Sequence, residues 1–97
     1  MIRHTALFKW TTEATGEQKA AVAAELAALA PTVPSIRGFA LGADVGVAAG
    51  NFDFAVVADF DDEAGFFAYR DDPVHREIVG RTITPILAQR VAVQFRY

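Results

Sequence analysis

Phe52-Asp53-Phe54-Ala55-Val56-Val57-Ala58-Asp59-Phe60 is the segment on which the fold turns. Its side chains fall into two alternating sets. Phe52, Phe54, Val56, Ala58 and Phe60 form one, and Asp53, Ala55, Val57 and Asp59 form the other. A period of two sustained this long predicts a strand with one face covered by other elements. Asp61 or Asp62 follows at once and suits the cap of a helix that holds Phe66, Phe67 and Tyr69. Pro73 interrupts that helix, and a short helical stretch carries His75 to about residue 80 before Pro85 ends it. Residues 88–97 form a last strand, with Val91, Val93, Phe95 and Tyr97 opposite Arg90, Ala92, Gln94 and Arg96.

Reading back from Phe52, residues 46–51 are a small-residue loop and residues 39–45 a weaker strand. Before them, residues 16–30 are rich in Ala, Glu and Leu, which favour helix. Val22, Leu26 and Leu29 share one face of it, Thr15 and Gln18 have the spacing of a capping box, and Pro31 and Pro34 stop it. Residues 2–10 alternate again: Ile2, His4, Ala6, Phe8 and Trp10 against Arg3, Thr5, Leu7 and Lys9.

The order β-α-β-β-α-β is the split pattern of an α+β, ferredoxin-like fold, in which two helices cover one face of a four-stranded antiparallel sheet. Residues 1–97 make one domain. The apolar sets of the first, third and fourth strands are expected under the helices. The other face would hold Thr5, Leu7, Ala55, Val57 and Ala92 among Arg3, Lys9, Asp53, Asp59, Arg90 and Arg96. That face is too apolar for full solvation, so a homodimer paired through the open sheet face is expected.

Composition removes several function classes. The chain is 53% hydrophobic, with eight Phe and a net charge of −3. It has no basic stripe to bind nucleic acid. Without Cys there is no disulfide, thiolate nucleophile or thiolate-ligated metal. No apolar run is long enough for a membrane span, and the opening residues do not read as a signal peptide, so a cytoplasmic location is expected. Ser35 is the sole Ser and lies in a Pro-flanked connector, which leaves no Ser-His-Asp arrangement. The glycines form no phosphate loop, and two His without an HExxH pattern make a poor metal site. Neither cofactor nor metal is expected.

Three side chains remain for chemistry: His4, Tyr69 and His75. Each has an ordinary reading: a buried His bonded to a carbonyl, a core aromatic with its hydroxyl at the edge, and a surface His beside Pro73. Taken together, they are two groups that exchange protons near neutral pH and a hydroxyl that can hold an oxygen with developing charge. Opening into a Phe-lined cavity, they would suit proton abstraction next to a carbonyl.

The opening Met1-Ile2-Arg3-His4-x-x-Leu7-Phe8-Lys9 resembles that of the stress-responsive α/β-barrel (Dabb) family. So do Pro34-x-Ile36-Arg37-Gly38, the stretch from Phe52 to Phe60, Tyr69-x-x-x-Pro73-x-His75, and the ending Arg90-Val91-x-Val93-x-Phe95. The resemblance covers nearly the whole chain, and it implies a dimeric α+β barrel. It also implies a small apolar or aromatic ligand in a pocket between sheet and helices. In the family's best-defined chemistry, a polyketide cyclase closes a ring by intramolecular aldol condensation without a cofactor. Carried over by position, His75 would be the base, Tyr69 would orient or protonate the carbonyl oxygen, and His4 would hold the polar end of the ligand. The walls would be Ala6, Phe8, Val56, Ala58, Phe66 and Ile78. One position departs from the family's Tyr-x-x-His-Pro-x-His segment, where Asp72 replaces the first His. Two further readings of the same barrel stand beside the cyclase or lyase: a small monooxygenase, with Trp10 and the Phe-rich face against an aromatic substrate, and a non-catalytic stress-linked binding protein.

Overall fold

Strands β1 (Ile2–Trp10) and β3 (Phe54–Phe60) run antiparallel at the centre of the sheet, with Ile2 opposite Phe60 and Phe8 opposite Phe54. The computed structural model describes residues 1–97. Strand β2 (Ile36–Ala43) flanks β3 and strand β4 (Leu87–Arg96) flanks β1, both antiparallel, giving the order β2-β3-β1-β4. Helices α1 (Gly16–Leu29), α2 (Glu63–Arg70) and α3 (Pro73–Ile78) complete the chain. This is the ferredoxin-like α+β architecture, with the second crossover helix broken in two. β2 starts earlier, and β3 later, than the alternation alone implies.

Local chemistry fixes the helix starts. Thr15 Oγ1 accepts the Gln18 N–H at 3.2 Å, and Gln18 Oε1 accepts the Thr15 N–H at 2.9 Å, so the box predicted at α1 is formed. Asp62 caps α2 by accepting the Gly65 N–H at 2.9 Å. Asp72 accepts the N–H groups of both Val74 and His75, at 2.9 and 3.0 Å, and Pro73 occupies the first turn of α3. Asp72 is therefore the cap that aims the helix bearing His75.

Beyond α3 the backbone widens into a π-helical stretch, Val79–Ile83, whose Val79 carbonyl accepts the N–H of Thr84. A 3-10 turn, Thr84–Ile86, then leads into β4. Arg81 ties this stretch down, donating from Nη1 to Glu25 Oε2 at 2.8 Å and from Nε to Glu77 Oε1 at 2.6 Å. The core lies between helices and sheet. Val22, Leu26 and Leu29 of α1 meet Phe54, Val56, Ala58 and Phe60 of β3, and Phe60 is wholly buried.

The fourth strand corrects one expectation. Val91, Val93, Phe95 and Tyr97 do not face the helices. Leu7 pairs with Val91, Thr5 with Val93 and Arg3 with Phe95, and residues paired across a ladder share a face. The apolar set of β4 therefore lies on the open face, 42–58% exposed. Arg90, Ala92 and Gln94 sit opposite Phe8, Ala6 and His4 on the helix side, and Arg96 reaches Glu63 at the start of α2. Alternation establishes that a strand has two faces; only the register chooses which one turns inward. The open face thus gathers Leu7, Val57, Val91, Val93, Phe95 and Tyr97 around one ion pair, in which Arg3 grips Asp59 through two bonds of 2.7 and 3.0 Å. Gly38 lies against that pair: a Cβ there would come 2.9 Å from Asp59 Oδ2 and would push the carboxylate against Arg3.

Candidate functional site

Between sheet and helices lies a cavity of about 720 Å³. His4, Ala6 and Phe8 of β1, Val56 of β3, and Arg90 and Gln94 of β4 form its floor. Phe66, Phe67, Tyr69 and Arg70 of α2 and His75 and Arg76 of α3 form one wall. Val79, Gly80 and Ile83 of the π-helical stretch form another. The widened backbone there shapes the pocket directly.

The three side chains singled out for chemistry meet here. The rings of Tyr69 and His75 lie 4.2 Å apart between centroids, and those of His4 and Tyr69 6.2 Å apart. Phe66 packs against His4 at 5.1 Å. The polar neighbours of the two imidazoles favour opposite tautomers. Gln94 Nε2 lies 2.9 Å from His4 Nδ1. An amide nitrogen only donates, so Nδ1 accepts and neutral His4 carries its proton on Nε2. His75 Nδ1 lies 3.4 Å from the Arg70 carbonyl oxygen, which only accepts, so His75 has its proton on Nδ1 and a free lone pair on Nε2. Burial first, then the charges of Arg90 and of protonated His75, push His4 down to about 4. Burial also lowers His75, partly opposed by its bond to the Arg70 carbonyl and by Asp72. Both are neutral at pH 7. Burial pushes the Tyr69 phenol up to about 12, so it remains a hydroxyl. Tyr69 is 4% exposed, yet no buried side-chain polar atom lacks a partner, and its hydroxyl bonds to nothing in the chain. The hydroxyl therefore opens onto the cavity that Tyr69 lines.

Of the expected wall residues, Ala6, Phe8, Val56 and Phe66 line the cavity. Ala58 and Ile78 do not; they are 0% and 5% exposed in the core. Ala58 stands across the ladder from His4. Trp10 is buried too, stacked on Phe8 at 5.6 Å and 16°, and is not part of the lining. Among the lining residues that sequence reasoning missed, Arg90 and Gln94 were lost because it placed their strand in the opposite phase. Their signal lay in the β1–β4 register, not in β4 itself. No group of three His, Cys, Asp or Glu side chains is arranged to hold a metal ion.

Comparison with known proteins places the chain. The stress responsive A/B barrel domain (Dabb) matches residues 2–97. This chain is a Dabb protein. A dimeric ferredoxin-like protein of unknown function from Thermobifida fusca is 51% identical, with a TM-score of 0.92 over 99% of this Dabb chain and 90% of its own. Two others share the fold at lower identity. A Dabb-family protein from Mesorhizobium loti is 17% identical, with a TM-score of 0.82 over 99% of this chain and 95% of its own. Hydroxynitrile lyase from Passiflora edulis is 19% identical, with a TM-score of 0.83 over 97% of this chain and 90% of its own. No curated protein matches the chain.

Proposed function

We propose that this Dabb protein is a homodimer that binds a small, largely apolar molecule and makes or breaks a carbon–carbon bond beside a carbonyl, without a cofactor. The observation that carries the reading is the meeting of a neutral His75 with a free Nε2, a protonated Tyr69 hydroxyl and a donor-bearing His4 in one apolar cavity. In the ring-closing direction, His75 Nε2 takes a proton from the carbon next to a carbonyl. The C–H electron pair moves into the new carbon–carbon double bond and the carbonyl pair onto its oxygen, where the Tyr69 hydroxyl and His4 Nε2–H stabilise the enolate. The enolate carbon attacks a second carbonyl of the same molecule, and protonated His75 returns its proton to the new alkoxide. Cleavage runs the same steps backward. The name of the Passiflora neighbour is in keeping with this chemistry, since splitting a hydroxynitrile also begins with a base taking a hydroxyl proton.

The dimer is supported by the apolar open face and by the dimeric Thermobifida neighbour at 51% identity. Two assays test the catalytic reading: release of fluorophore from a fluorogenic β-hydroxyketone, and benzaldehyde release from mandelonitrile. His75→Ala should lower kcat by about 10²- to 10⁴-fold, the usual contribution of a positioned base. Because His75 acts unprotonated, kcat/KM should fall as pH drops through its lowered pKa, at more acidic values than for an ordinary His. Equal turnover by wild type and His75→Ala defeats the assignment. A protein that binds such compounds and turns over none is the non-catalytic binding protein, a reading favoured by how firmly His4 and Tyr69 resist ionisation.

A further inference from the structure

We propose that the ligand of this cavity carries one carboxylate on its apolar body, and that Arg90 is the residue that selects it. The inference rests on the cavity being the substrate site, as above. Its basis is a charge imbalance. Three arginines, Arg70, Arg76 and Arg90, are among the lining residues, and no Asp or Glu is. Two of the three are already engaged. Arg70 binds Asp71 through Nε at 2.9 Å and Nη2 at 3.1 Å, and Arg76 Nη1 stands 3.7 Å from the same carboxylate. Arg90 is different. It makes no ion pair and no side-chain hydrogen bond, and its Cζ lies 6.0 Å from the centroid of the Phe8 ring on the cavity floor. It stands opposite Phe8 on the helix side of β4 and lines the same cavity as His4, Tyr69 and His75.

A cation left without a counter-charge above an apolar floor makes a site selective for anions. Arg90 is exposed at the cavity mouth, and its planar guanidinium fork matches a carboxylate with two parallel bonds. The ligand thus has an order: carboxylate at Arg90, apolar body over Phe8 and Val56, and reacting carbonyl on the cavity side of the Tyr69 and His75 pair.

The test uses a matched pair, 1-naphthaleneacetate and its neutral amide 1-naphthaleneacetamide, titrated into the isotopically labelled protein and followed by amide chemical shifts. The carboxylate should bind at least about fivefold more tightly than the amide, shifting residues around His4 and Phe66. Arg90→Gln should erase that preference and leave amide binding within twofold. Arg90→Lys should keep part of it, and Arg76→Gln, which removes a charge already turned to Asp71, should keep most of it. Equal affinity for the two probes in wild type, a preference that survives Arg90→Gln, or one lost equally in Arg76→Gln overturns the proposal. If neither probe moves cavity resonances, the reading of the cavity as a ligand site fails first and the Arg90 assignment falls with it. Carboxylate preference without turnover leaves the Arg90 assignment standing and rejects only the chemistry.

Discussion

The two faces of the sheet use the same strands to opposite ends. On the helix side, β1 and β3 contribute Ala6, Phe8, Val56 and Phe60 to a dry core, and the polar side chains His4, Gln94 and Arg90 gather at the cavity. On the other side, Leu7, Val91, Val93, Phe95 and Tyr97 stand more than a third exposed around the Arg3–Asp59 pair. β4 inverts the usual arrangement, turning its polar residues in and its apolar residues out. Polar groups under the helices are tolerated where a cavity and a ligand meet them, and apolar groups in the open are tolerated where a partner covers them.

The contrast can be broken most severely from the covered side. Phe60→Ala empties a fully buried ring site and should lower unfolding free energy by about 3–5 kcal/mol in a denaturant titration. Next in size is a pH effect confined to the same side. His4 titrates at about 4 in the folded chain, against 6.5 unfolded. Its folded pKa is depressed, so its stabilisation is complete above pH 6.5 and is lost as pH falls toward 4. The loss is on the order of 3 kcal/mol. His75 is shifted the same way and adds to it. His4→Gln should flatten stability across that window. Asp59, held below the usual carboxylate range by Arg3, titrates only at more acidic pH and leaves the window clear.

The open face should respond differently. Phe95→Asp places a charge in the apolar patch and should weaken self-association by about 2 kcal/mol or more, read as dissociation by light scattering on dilution. Folding of the single chain should hardly change, since Phe95 is 46% exposed within it. A large loss of single-chain stability would refute the division of labour between the faces. The smallest effect sharpens the helical side. Asp62→Ala removes the cap of α2 and should lower stability by about 1 kcal/mol, with a corresponding loss of melting temperature.

Much of this was legible because it is written in local periods. The alternations of β1 and β3, the Thr15–Gln18 box and the stop at Pro31 depend on neighbours a few residues apart, and all are present. His4, Tyr69 and His75 were identifiable as the few side chains with suitable chemistry, and the fold brings them to one cavity. The phase of β4 was not legible, because Val91, Val93 and Phe95 alternate equally well facing either way. Their direction is set by pairing with β1, more than eighty residues distant in sequence. The roles of Gln94 and Arg90 were hidden with it. The π-helical wall was likewise invisible, since no residue pattern in Val79–Ile83 announces a wider turn.

The ten residues of β4 work as a reading frame. Arg90 and Gln94 meet the cavity only while Val91, Val93 and Phe95 meet the outside, and the pleat forbids changing one set alone. Adding or deleting a single residue in the turn Thr84–Ile86 would exchange the two messages, greasing the cavity and charging the outer surface in one step. That short connector should therefore tolerate substitution far better than any change of length.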